Sequence, residues 1–148
     1  MDNRPIGIFD SGVGGLTVAN AINKLLPNET ICYVGDTARV PYGNKSKTSI
    51  LKFSKQITNW LIKQNCKVII IACNTASSLA LDTLKSKVSV PILGVIDPGV
   101  KWAVSLTKTN RIGVLGTRAT INSNVYSNKI KEENKKIQVF EKACPLFV

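Results

Sequence analysis

Cys73 is the residue whose type and surroundings point most directly to chemistry. It follows the apolar run Val68-Ile69-Ile70-Ile71-Ala72 and precedes Asn74-Thr75, where a helix is expected to begin. A helix N-terminus favours anions and lowers a thiol's pKa, so a thiolate is expected near neutral pH, serving as base or nucleophile. Free cysteines are also among the most buried and inert residues, and position alone leaves both readings equally open. Asn74 and Thr75 fall at the cap and first turn of the helix. There, side chains and free backbone N–H groups can hold a carboxylate. Plain helix capping is the alternative, and it can coexist with binding.

Other polar residues also gather beside small ones. Asp10 and Ser11 open the loop Gly12-Val13-Gly14-Gly15. Its glycines let a ligand approach the backbone closely. Asp10 suits orienting an ammonium group or relaying a proton; taken alone, it reads more simply as a helix cap. The loop misses the last glycine of GxGxxG, and Gly43-Asn44-Lys45-Ser46 lacks the adjacent Gly-Lys of a P-loop, so nucleotide binding is disfavoured. Pro41-Tyr42-Gly43 reads either as a surface turn or as a flap whose tyrosine hydroxyl closes over a substrate. Thr117 and Thr120 flank another helix start, with capping as the modest alternative. Cys32 and Cys66, in a strand and at a helix-strand junction, read as inert. No cysteine pair has CxxC spacing and histidine is absent, so a Cys/His zinc site is not expected.

The elements that would position these residues alternate. Strands are expected at Ile6–Phe9, Thr30–Val34, Lys67–Ala72, Val90–Val95, Arg111–Leu115 and Ile137–Phe140. Between them, apolar residues recur at helical spacing: Leu16, Ala19, Ile22 and Leu25, then Ile50, Phe53, Ile57 and Leu61. Ser46 or Thr48 would cap the second of these helices. A single helix is expected to run from Thr117 through Ile121, Val125 and Ile130. Such β-α alternation predicts an α/β fold, a parallel sheet with helices on both faces and ligands beyond the carboxyl ends of its strands. Val68–Ile71, apolar throughout, reads as the most buried, central strand.

Ile6-Gly7-Ile8-Phe9-Asp10-Ser11 is weakly echoed by Ile112-Gly113-Val114-Leu115-Gly116-Thr117. The echo suggests a first α/β domain at residues 1–97 and the beginning of a second, similar one at 98–148. The interval from Asp10 to Cys73, carried forward from Gly116, falls beyond Val148. The second unit is therefore expected to be incomplete.

Composition narrows the partners. Hydrophobic residues make up 44% of the 148, enough for a real core. The formal charge is +11, but the lysines are scattered along helical faces and, at Lys129–Lys136, interleaved with Glu132 and Glu133. Solvated faces explain this better than nucleic-acid binding. No apolar run approaches the roughly 20 residues that span a bilayer. A cytoplasmic protein with reduced thiols and no membrane or nucleic-acid partner is expected.

Five ordered segments resemble the glutamate racemases of the aspartate/glutamate racemase superfamily. They are Phe9-Asp10-Ser11-Gly12-Val13-Gly14-Gly15-Leu16-Thr17, Gly35-Asp36-Thr37-Ala38-Arg39-Val40-Pro41-Tyr42-Gly43, Ala72-Cys73-Asn74-Thr75-Ala76, Gly94-Val95-Ile96-Asp97-Pro98-Gly99 and Gly116-Thr117-Arg118-Ala119-Thr120. Ala143–Val148 also fits the pattern. The resemblance implies two α/β domains facing each other across a cleft. It implies interconversion of L- and D-glutamate without pyridoxal phosphate, metal or nucleotide, the product feeding peptidoglycan synthesis. Cys73 would exchange the α-proton on one face, with Asp10 as its acidic neighbour. Ser11, Tyr42, Gly43, Asn74 and Thr75 would hold the amino acid, with Thr117 and Thr120 contributing from the second unit. A homodimer is compatible with it.

The family's second cysteine, in a Gly-Cys-Thr-His-type segment, has no counterpart here, and Cys144 matches a different segment. The chain is thus expected to be a fragment of a longer protein, with negligible activity alone. Racemisation of aspartate or another acidic amino acid is the nearest rival. A non-catalytic binding or regulatory role is the rival from another class.

Overall fold

The computed structural model describes residues 2–145. Leu146–Val148, the tail of the Ala143–Val148 match, lies outside them. Every strand pairing is parallel, and helices flank the strands.

The first sheet contains β1 (Ile6–Asp10), β2 (Ile31–Gly35), β3 (Val68–Ile71) and β4 (Ile92–Gly94), in the order β2-β1-β3-β4. Its helices are α1 (Leu16–Leu25), α2 (Lys47–Lys63) and α3 (Asn74–Lys85). On one face, Phe9, Ile69 and Ile71 pack with Ile50, Ile57 and Leu61 of α2 and Ala76, Ala80 and Leu84 of α3. On the other, Ile6, Ile8 and Ala72 meet Val18, Ala19 and Ile22 of α1. Ser46, rather than Thr48, caps α2 by accepting from the Ser49 N–H at 3.2 Å.

The most buried strand is β1, not β3. All five β1 residues are buried, whereas β3 alternates between buried and half-buried. Val68 and Ile70 point to the face that holds α1, a helix with no fully buried residue. An unbroken apolar run therefore overstated how well both faces of β3 are covered.

The second sheet pairs β5 (Arg111–Gly116) with β6 (Gln138–Ala143). Around it lie α4 (Ile96–Leu106), α5 (Arg118–Asn122) and α6 (Val125–Glu133). Ile96, Val100, Val114, Ile130 and Ile137 form a separate core. The helix expected to run unbroken from Thr117 is two helices. Asn124 adopts a left-handed φ of 54°. The Ser123 hydroxyl donates to the Thr120 carbonyl at 2.5 Å. Polar Asn-Ser-Asn at 122–124 supplies the residues that tolerate such a corner.

Candidate active site

β1 and β3 are hydrogen-bonded neighbours with Phe9 opposite Ile71, so the residues just past their carboxyl ends must converge. Asp10 and Ser11 leave β1 there, and Cys73 and Asn74 leave β3. This is the crevice beyond a parallel sheet where ligands characteristically bind. A cleft of about 620 Å³ opens at that point, bordered by Asp10, Ser11, Tyr42, Gly43, Cys73, Asn74, Thr75 and Thr117. Thr120 does not border it. It lines a smaller adjoining hollow of about 280 Å³ with Asn74, Thr117, Tyr126 and Cys144.

Cys73 is the cap residue of α3 and only 6% exposed. Its Sγ donates to the Ser11 Oγ at 3.4 Å and accepts from the Ala76 N–H at 3.4 Å. The expected lowering of its pKa is not what the surroundings produce. Burial pushes the thiol above the ordinary range, outweighing the Ser11 and Ala76 hydrogen bonds, and the Asp10 charge pushes the same way. The helix N-terminus does solvate the sulfur as anticipated. However, the sequence did not reveal how little water reaches it.

Asp10 is buried, and its Oδ2 accepts from the N–H groups of Gly12 and Gly15, each at 3.0 Å. Asp10 is not the cap of α1, which is Gly15 with no side-chain capping bond; its carboxylate instead ties down the loop that leads into α1, and it borders the cleft. Among the described residues, no hydrogen bond reaches Oδ1. Gly15 must be small for packing, and it also borders the cleft. A Cβ there would lie 2.5 Å from the Asp10 Cβ and 3.0 Å from the Ala72 Cβ.

Tyr42 borders the cleft but does not offer it a free hydroxyl. The side chain is 1% exposed, and its hydroxyl donates to Asp36 Oδ2. Burial is the first cause lifting the phenol's pKa far above its usual value, and the Asp36 hydrogen bond adds to it. Asp36 in turn pairs with Arg39 at 2.8 Å, and the Arg39 guanidinium lies over the Phe53 ring at 4.3 Å. Asp36 and Arg39 sit in a segment the sequence flagged, but their role as a brace for Tyr42 had no local signal. Gly43 is small because a Cβ there would meet the Thr117 Cβ at 2.6 Å.

Three hydroxyls join the two units. Thr75 Oγ1 lies 3.0 Å from Thr117 Oγ1 and 3.3 Å from Thr120 Oγ1, and the latter two are 3.0 Å apart. Thr117 caps α5 by accepting from the Thr120 N–H at 3.1 Å, as the capping alternative anticipated. The Tyr126 hydroxyl of α6 donates to Asn74 Oδ1 at 2.6 Å. No motif marked Tyr126, because the contact depends on the corner at Asn124. Cys66 is buried beneath β1, where a Cβ on Gly7 would lie 3.0 Å from its Sγ, and it takes no part in the cleft.

A family model described as Asp/Glu/Hydantoin racemase matches residues 6–146. The chain is 54% identical over 147 residues to a protein named glutamate racemase from Chlorobaculum tepidum, covering 99% of this chain and 54% of that relative. A crystal structure of glutamate racemase isoform RacE1 from Bacillus anthracis superposes with a TM-score of 0.96 at 41% identity, over 99% of this chain and 55% of that one. The crystal structure of glutamate racemase from Francisella tularensis in complex with D-glutamate gives 0.92 at 48% identity, over 99% and 55%. The chain spans about half the length of the curated relatives it matches.

Proposed function

Because the chain belongs to the Asp/Glu/Hydantoin racemase family, we propose that it forms one wall of a glutamate racemase cleft and supplies one of two proton-transfer bases. The observation that carries this reading is the Cys73 sulfur, hydrogen-bonded to Ser11 at the border of a cleft it shares with Asp10. The identity of about half to proteins named glutamate racemase supports glutamate as the substrate.

The chemistry follows from what each group can do. Inversion at a carbon needs a proton removed from one face and delivered to the other. Two bases on opposite walls achieve this without turning the substrate over. Cys73 is the base on this wall, and its partner is a cysteine outside these 148 residues, in a Gly-Cys-Thr-His-type segment. The α-ammonium docks at Asp10 Oδ1, and its positive charge beside the sulfur favours thiolate over thiol. The same charge acidifies the α-proton. A substrate carboxylate sits at the N-terminus of α3, where the first-turn N–H groups of Asn74 and Thr75 point outward. The burial that keeps the resting thiol protonated also keeps water from the carbanion-like transition state. The reaction uses no cofactor, and its product supplies peptidoglycan synthesis in the cytoplasm.

The experiment is conversion of L-glutamate to D-glutamate followed by circular dichroism, with the full-length protein and with the 148-residue chain. The full-length protein is expected to turn over glutamate well above aspartate, and the chain alone negligibly. Robust turnover by the chain alone would remove the need for a second thiol. Faster turnover of aspartate would reassign the substrate.

A further inference from the structure

Asn74 lines both the main cleft and the adjoining hollow, and it is exposed. A free asparagine amide turns about its last torsion and presents either a carbonyl oxygen or an NH₂ group. To a substrate carboxylate these are opposites: the oxygen repels it and the NH₂ donates to it. Whatever fixes that torsion therefore sets whether the residue aids or hinders anion binding.

Tyr126 fixes it. We infer that Tyr126 is a positioning residue for the substrate carboxylate: its hydroxyl, donating to Asn74 Oδ1 at 2.6 Å, turns Nδ2 toward the cleft as a donor. A phenol hydroxyl held at this distance takes one face of the amide and leaves the other for the ligand. Burial raises the Tyr126 pKa, so the group stays a neutral donor well into the alkaline range. The corner between α5 and α6 aims it. Asn124 turns left-handed, and Ser123 ties down both sides, donating to the Thr120 carbonyl at 2.5 Å and accepting from the Val125 N–H at 3.4 Å. An unbroken helix would carry residue 126 around to a different direction. The second unit thus governs a donor at the N-terminus of α3 in the first unit, and substrate binding is sensitive to how the two units are held together.

The inference rests on the proposed racemase reading. It is tested in the full-length protein with Tyr126→Phe, Asn74→Ala and the double variant, by steady-state racemisation of glutamate and thermal unfolding. Tyr126→Phe is expected to raise KM about tenfold, the size of one lost hydrogen bond to a charged ligand. The effect on kcat should be small and Tm should change little. In the Asn74→Ala background the same substitution should change KM no further. An unchanged KM in Tyr126→Phe overturns the inference, as does an effect that persists in full without Asn74. A wild-type protein with no glutamate racemisation overturns the underlying reading and this inference with it.

Discussion

At Cys73, the N-terminus of α3 and the surrounding packing push the sulfur in opposite directions, and the packing prevails in the resting site. Substrate charge, not the fold alone, then generates the base. Cys66 shows the packing effect without a helix terminus to oppose it. Burial is the first cause lifting its thiol to about 11, with Cys32 adding to the shift. The folded chain therefore holds that proton more tightly than the unfolded chain does. The associated stability is fully present below the ordinary thiol pKa and is lost as pH rises through about 11. Urea unfolding between mildly and strongly alkaline pH should show the wild-type midpoint falling more steeply than that of Cys66→Ala; parallel curves would contradict this. At this scale, residue types carried far. Asp10, Ser11, Cys73 and Asn74 stood out because small polar residues directly follow buried strands. Protonation state and hydroxyl engagement did not stand out, since they depend on neighbours distant in the chain. The Tyr42 hydroxyl, anticipated as a contact to ligand, is taken by Asp36.

Among the elements, α2 and the α5–α6 corner teach opposite lessons. The apolar spacing of α2 was plain, and Ser46 caps it. Yet its inward face also buries Ser54 and Thr58, whose hydroxyls find no hydrogen-bond partner among the described residues. Replacing Thr58 by valine keeps the shape and removes an unpaired polar atom, so it should stabilise the fold by about 1 kcal/mol in urea unfolding. A loss of stability would mean that the hydroxyl is paired after all. The corner at Ser123–Asn124 was missed because periodic apolar residues at 121, 125 and 130 continue a helical pattern across it. A single left-handed residue interrupts the helix without disturbing that pattern, and only the polar triplet hinted at it.

For the whole molecule, β-α alternation was enough to predict an α/β fold with parallel strands and helices around them. The split into two sheets was legible only as a faint repeat of Ile-Gly strands. The joint between the units was not legible at all. It consists of the Thr75, Thr117 and Thr120 hydroxyls, the close approach of Gly43 to Thr117, and Tyr126 on Asn74. Capping explains Thr117 locally and turn preference explains Gly43, so nothing in their spacing announced a second role, and no motif marked Tyr126. That joint places parts of both units around one cleft, with Cys73 in its wall.

Whether that sulfur handles the substrate's α-hydrogen can be measured directly, by NMR detection of α-deuterium entering glutamate in D₂O with the full-length protein and its Cys73→Ala variant. The wild-type protein should incorporate deuterium into both enantiomers. The variant, folded with an unchanged melting temperature, should lose incorporation into the enantiomer whose α-hydrogen faces Cys73 and form none of the opposite enantiomer, with any residual exchange confined to the enantiomer that the second base serves. Wild-type rates of incorporation into both enantiomers in the variant would contradict the account.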